Sequence, residues 1–197
     1  MADLSAIYAD MLAAAATAFQ KSPSDMVYGE GDSAAALMLI GEAPGAEETK
    51  LSRPFVGRAG KNLDEFLSTI GLKREEIYIT NVVKFRPYKV SAKGTLSNRP
   101  PTRGEVDLML PLLLREIEAV APRIVVTLGN VPLRAVLGLK TATIGQYHAV
   151  PTAGSALSAA FSLFPLYHPA SIIYNRSLKS VYEQDLLQLK QHINAPD

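Results

Sequence analysis

Four short apolar runs, each closed by a polar turn and separated from the next by a stretch of other character, constrain this fold more than any other feature of the chain. They are residues 36–40 (ALMLI), 77–83 (IYITNVV), 123–128 (RIVVTL) and 161–167 (FSLFPLY). Residues 59–70, 105–120, 131–137 and 178–193 carry helical patterns. A further helix is predicted over residues 3–20, where Leu4, Ile7, Tyr8, Met11 and Leu12 stand near helical spacing. Thr102 is placed to cap the 105–120 helix, with Glu105 three residues on completing a capping box. Runs that are apolar throughout belong to strands buried on both faces, so their alternation with helices predicts a parallel α/β sheet covered on both sides. At 197 residues the chain is long enough for one domain with a sizeable core, read as a helix and loop at 1–27 ahead of a core at 28–193. Residues 88–101 read as a loop, and 141–158 as a hairpin or irregular excursion.

In parallel sheets of this kind ligands collect at the carboxyl ends of the strands. The turn Gly41-Glu42-Ala43-Pro44-Gly45 follows the first run, Asn81 stands late in the second, Gly129-Asn130 ends the third, and His168-Pro169 follows the fourth. Glu42 and the pair Glu47-Glu48 have the chemistry to bind a metal, act as a base or orient water, although an acid at a helix start is the simpler reading of Glu47. Pro44 and Gly45 permit a turn that brings backbone N–H groups close to a ligand. No Gly-Lys-Ser/Thr follows, so the glycines are not a P-loop. Phe55, between Pro54 and Gly57, is either a core ring or a surface for a base to stack on. Asn81 offers a donor and an acceptor on one amide, suited to reading the edge of a pyrimidine, or it simply forms a turn. His168 is held extended by the following proline and is either structural or a donor to a developing oxyanion. His148 and His192 are read as structural.

The absence of cysteine removes disulfides, thiolate metal sites and cysteine nucleophiles, and three histidines make a histidine-rich metal cage a poor fit. No apolar stretch reaches the roughly 20 residues that span a bilayer, and the first residues lack the basic start of a signal peptide. The expectation is therefore a cytoplasmic protein with no membrane partner. The net charge of +1 hides an uneven distribution. Residues 77–104 contain no acid, yet hold Lys84, Arg86, Lys89, Lys93, Arg99 and Arg103. Such a segment is either a solvated loop balanced by acids elsewhere or a face for phosphates.

Together these residues resemble the uracil-DNA glycosylase superfamily, closest to its family 4. The resemblance rests on GEAPGAEE, RPFVGRAG, YITNVVKFRP with the downstream NRPPTRGE, and LYHPASII, in that order, and spans about residues 28 to 190. It implies a three-layer α/β/α sandwich with a central, mainly parallel four-stranded sheet and a uracil pocket at the strand ends. It implies hydrolysis of the N-glycosidic bond of uracil in DNA. Phe55 would stack on the base, Asn81 read its polar edge, and His168 stabilise charge on the uracil O2. Glu42, and after it Glu48, would organise the attacking water. Gly41, Ala43 and Gly45 would line the pocket, with Ala43 standing where related families carry a catalytic Asp. The base must be flipped out of a duplex to be reached. Lys84, Arg86, Arg99, Ser171 and Ile172 are the expected DNA contacts, and Ile172 and Ile173 are either a wedge or core.

The family's usual four-iron cluster needs four cysteines. By motif register its ligand positions fall at Ala14, Thr17, Phe85 and near Met109, so no cofactor or metal cluster is expected and packing is expected to tie the N-terminal helix to the body. Residues 88–98 are also longer than the family's short connection. The expected partner is uracil-containing DNA and the expected state a monomer. The alternatives are a non-catalytic binder of uracil-containing or single-stranded DNA, and a glycosylase for hypoxanthine or xanthine.

Overall fold

The computed structural model describes residues 3–195, with Ile173 and Tyr174 described by their backbone. In chain order the elements are α1 (Leu4–Phe19), β1 (Glu30–Gly31), β2 (Leu37–Gly41), α2 (Ala46–Leu51), α3 (Arg58–Ile70), β3 (Tyr78–Asn81), β4 (Tyr88–Val90), β5 (Leu96–Asn98), α4 (Arg103–Val120), β6 (Ile124–Leu128), α5 (Asn130–Leu137), α6 (Ile144–Tyr147), β7 (Thr152–Ala156), β8 (Ala159–Leu166), α7 (Pro169–Tyr174) and α8 (Lys179–Ile193). The central sheet runs β1-β3-β2-β6-β8-β7. Its inner four strands are the four apolar runs, and β3, β2, β6 and β8 are all parallel.

The sheet has six strands rather than the expected four. β1 and β7 add to its two edges in antiparallel sense. Both escaped a reading based on continuous apolar runs because one face of each is uncovered: the two residues of β1 are not buried, and β7 alternates exposed and half-buried positions before its last residue. The 88–101 loop is also corrected, since β4 and β5 pair there as a separate antiparallel hairpin. The 141–158 excursion contains α6 and β7, the latter forming a hairpin with β8.

Side chains along the inner strands alternate between two cores, as the two-residue period of a strand requires. Met38, Ile40, Tyr78, Val125 and Leu163 face one core with Ile7 and Met11 of α1, Met109 and Leu113 of α4, and Leu133 of α5. Leu37, Leu39, Ile79, Val126 and Phe164 face the other, with Leu63 and Phe66 of α3 and Tyr182 and Leu186 of α8. Helices on both faces of one sheet make the three-layer α/β/α arrangement. Thr102 and Glu105 form the expected capping box, with Glu105 N–H donating to Thr102 Oγ1 (3.2 Å) and Thr102 N–H to Glu105 Oε2 (2.6 Å).

The chain leaves β2 to one side for β3 and then crosses to the other side for β6. That reversal of strand order opens a crevice beyond the carboxyl ends of the strands, where Gly41, Asn81, Gly129 and His168 all stand.

Candidate active site at the carboxyl ends of the strands

A cavity of about 390 Å³ occupies this crevice, and Ala43, Gly45, Glu48, Phe55, Asn81 and His168 line it. Glu42 joins Ala43, Gly45 and His168 around the adjoining hollow. Every residue expected to catalyse or to contact the base therefore comes to one place, from four separate stretches of chain.

The floor is set by close packing. A side chain on Gly41 would strike the Phe55 ring, whose Cζ lies 2.5 Å from the position of its Cβ, and the Asn81 amide. Gly41 is thus the residue that lets ring and amide approach the end of β2. Phe55 itself sits at φ +52°, in the left-handed region that a bulky residue rarely adopts. Two features hold it there. Arg74 donates to the carbonyls of Pro54 (2.8 Å) and Phe55 (3.1 Å), and Gly60 of α3 packs directly beneath the Phe55 carbonyl, where any Cβ would collide. The ring is almost fully buried in the protein and lies 6.0 Å from the His168 ring, inclined by 26°.

Glu48 ties the two turns together. One carboxylate oxygen accepts the Gly45 N–H (3.1 Å) and the other the Gly57 N–H (2.7 Å). With both oxygens engaged, Glu48 shapes the cavity wall. Glu42 differs. Half-buried, it has no side-chain hydrogen bond or ion pair among the described residues, and burial pushes its carboxyl above the ordinary carboxylate value. An unpaired acid of raised pKa in a cleft is a candidate for a group that moves or holds a proton.

Asn81 is buried, and among the described residues its side-chain amide has no hydrogen-bond partner, so both edges are available to a ligand. His168 caps α7. Its Nδ1 accepts the Ala170 N–H (3.1 Å), which leaves the ring proton on Nε2. Burial pushes this histidine down to about 4, with the Glu48 charge opposing. At neutral pH it is a neutral N–H donor. Among the described residues no group of three His, Asp or Glu side chains is arranged to hold a metal ion.

The expected DNA contacts fare unevenly. Lys84 is corrected: its side chain is completely buried, with Nζ 2.6 Å from Glu116 Oε2 and 2.5 Å from the Asn81 carbonyl oxygen. Glu116 also accepts from Tyr78 and Thr80, and Tyr78 meets Tyr8 of α1. No phosphate can reach this ammonium. Arg99 is half-buried and forms a two-pronged pair with Glu105 (2.7 and 2.8 Å), so its charge is largely matched. Arg86 donates to Asn98 Oδ1 (2.7 Å) near the cavity mouth. Ser171 is half-buried and follows the cavity-lining Ala170, its N–H donating to the His168 carbonyl (2.8 Å). Ile172 packs on the α3–α8 core, while the side chain of Ile173 lies outside the described residues.

Sequence reasoning missed Arg58, Asn62 and Asn98. Arg58 and Asn98 line the cavity, and Asn62 donates to the Pro169 carbonyl (3.1 Å), joining α3 to the histidine turn. Asn98 was hidden by the loop reading of 88–101, since only the β4–β5 pairing returns it to the mouth. His148 and His192, read as structural, are bonded to Asp185 (2.9 Å) and Ser162 (2.8 Å) and do not line the cavity.

The positions of the usual iron–sulfur ligands do not fit a cluster. Phe85 and Met109 are fully buried in the α1–α4 core, Ala14 packs against it, Thr17 is exposed, and no thiolate exists in the chain. The Phe19 and Phe85 rings, 5.6 Å apart, close this region instead.

Known proteins match both fold and sequence. The chain is 36% identical to the type-4 uracil-DNA glycosylase of Saccharolobus solfataricus, over 89% of this chain and 79% of that one. It is 35% identical to the type-4 uracil-DNA glycosylase of Thermotoga maritima, over 86% and 84%. A type-5 uracil-DNA glycosylase of Pyrobaculum aerophilum is 34% identical, over 74% and 66%. The crystal structure of wild-type SMUG2 from Pedobacter heparinus shares the fold, with a TM-score of 0.54 at 13% identity over 82% of this chain and 77% of that one. The sequence profile of the uracil DNA glycosylase superfamily matches residues 28–190, which take in all six strands of the central sheet and every cavity residue described above, and on that match the chain belongs to the superfamily.

Proposed function

We propose that this protein is a monofunctional uracil-DNA glycosylase, which hydrolyses the N-glycosidic bond of uracil in DNA and needs no metal or cluster to do so. One observation carries the reading: an unpaired acid, an unpaired amide, an aromatic ring and a neutral histidine donor line one crevice of a chain 35–36% identical to type-4 uracil-DNA glycosylases. An extruded uracil enters over Phe55, and Asn81 bonds its polar edge through one donor and one acceptor. As the bond from C1′ to N1 breaks, the sugar gains oxocarbenium character and the base gains negative charge. The Nε2–H of His168 donates to the oxygen on which that charge accumulates. Glu42 orients a water toward C1′ and accepts its proton as the new bond forms. Glu48 keeps the Gly45 and Gly57 turns in place around the reacting groups. Arg86, Arg58 and Ser171 stand at the mouth for the DNA strand. Residues 1–27 and 28–193 work as one domain, a reading supported by the burial of α1 side chains in the same core as α4.

The test is release of uracil from an oligonucleotide with a single uracil, read as alkali cleavage at the abasic site, beside oligonucleotides carrying hypoxanthine or xanthine. Uracil release with strand cleavage that appears only after the alkali step supports the proposal. Binding of uracil-containing DNA with no abasic product from any of them would leave a non-catalytic binder.

A further inference from the structure

The β4–β5 hairpin stands apart from the central sheet, and its register fixes which side chains share a face. Tyr88 opposes Asn98, Lys89 opposes Ser97, and Val90 opposes Leu96. Opposed residues in an antiparallel pair project to the same side, and successive residues alternate. Tyr88, Val90 and Leu96 therefore lie on the face of Asn98, whose side chain lines the cavity. They form an apolar stripe leading away from its mouth, with Tyr88 40%, Val90 61% and Leu96 48% exposed. Three large apolar residues on a two-stranded ribbon gain nothing from solvent and mark a contact surface.

The surroundings are cationic. Lys21 Nζ lies 5.1 Å from the centre of the Tyr88 ring and the Arg86 guanidinium 6.0 Å from it. Lys93 is exposed in the hairpin turn, while Lys89 is exposed on the ribbon's other face. No acid occurs from residue 77 to 104, and Glu105 at the hairpin base is already held by Arg99. A second copy of this chain meeting the stripe about a two-fold axis would bring these cations against themselves. A nucleic-acid strand has the complementary charge, and unpaired bases have apolar faces to lay on the stripe.

We propose that the β4–β5 hairpin is a platform for unpaired nucleotides beside the extruded uracil, directing the enzyme to single-stranded or locally opened DNA. This rests on the glycosylase reading for the identity of the extruded base, and the hairpin itself is tested by binding. The measurement is fluorescence anisotropy of a labelled oligonucleotide of about 15 nucleotides with one uracil, enough to fill a single-strand site, single-stranded and in duplex, across a range of salt. Tyr88→Ala should weaken single-strand binding at least about fivefold and duplex binding by less. Lys93→Ser, on an exposed position in the hairpin turn that leaves the core untouched, should flatten the slope of log affinity against log salt by about 0.7, the share of one phosphate on a single strand.

Unchanged single-strand binding in both variants overturns the proposal, as does an equal loss on duplex and single strand. A Val90→Ser/Leu96→Ser protein that sediments as a smaller species than the wild type also overturns it, by assigning the stripe to a second copy. Uracil release is scored separately. A wild type that releases no uracil, with Tyr88→Ala still losing single-strand binding, sinks the activity and leaves the platform standing. Uracil release with indifferent hairpin variants does the reverse.

Discussion

His168 carries the most chemical consequence for a single side chain. Its proton sits on Nε2 because Nδ1 is occupied by the Ala170 N–H, and burial keeps the ring neutral. Removing such a donor to a developing oxyanion costs about 10²–10³ in rate, so His168→Ala should lower the single-turnover rate of uracil release by that factor with its fold intact. A rate within a few-fold of wild type would move the oxyanion site elsewhere. The same burial has a signature in stability. The folded ring titrates at about 4 against an ordinary 6.5, so the unfolded chain takes up a proton that the folded one resists. Stability is full above pH 6.5 and declines as pH falls toward 4. Denaturant midpoints of His168→Asn should fall less than those of wild type across that window, and parallel curves would show the ring to be accessible. Glu42 gives a separate pH effect on rate. Water activation needs its carboxylate, and burial holds the proton on above the usual carboxylate range. The rate should drop as pH falls through that raised value, and Glu42→Gln should be slow and flat there; a wild-type acid limb in Glu42→Gln would assign the titration to another group.

At the scale of elements, the buried Lys84–Glu116 pair joins β3 to α4, and Tyr78 extends it to Tyr8 of α1. Lys84 also holds the carbonyl of Asn81, the residue that reads the base. Removing one partner strands a buried charge, which costs about 3–5 kcal/mol, whereas replacing both with apolar residues is often neutral. Lys84→Met should therefore lower the unfolding free energy by about that amount, and Lys84→Met/Glu116→Leu should regain most of it, as urea midpoints will read. No recovery in the double variant would make the pair a net stabiliser. This lysine shows where sequence reading fails. Lys84 stands in an acid-free basic segment, and nothing local signals that Glu116, 32 residues on, reaches it. The parallel strands were legible because burial on both faces writes unbroken apolar runs. The edge strands β1 and β7 and the hairpin were not, because strands open on one face carry polar residues like those of loops. The pocket residues were legible as strand-end turns, but the φ of Phe55 and the Arg74 staple that supports it depend on contacts distant in sequence.

For the molecule as a whole, α1 has to be held to the body without the metal cluster that the family resemblance implies there. The described structure answers with packing: Ile7, Met11 and Ala15 of α1 are fully buried with Phe85, Met109 and Leu113, and Phe19 closes over Phe85. Lys21 adds a cation over the same ring at 5.2 Å. Phe85, at a position where the family resemblance implies a cluster ligand, is the buried centre of this packing. Truncating a buried phenylalanine costs about 3–5 kcal/mol, a large share of the roughly 5–15 kcal/mol that keeps a domain folded. Phe85→Ala should lower the melting temperature and admit proteases to α1 first, since that helix loses its main anchor. Iron chelators and thiol oxidants should leave the wild-type melting temperature unchanged, because the chain has no thiol to ligate or oxidise. The two measurements separate the explanations. A chelator-sensitive melt would reveal a metal held by other groups, while a Phe85→Ala protein that melts with the wild type would show that α1 is held by the Tyr8–Tyr78–Glu116 chain and not by the aromatic core.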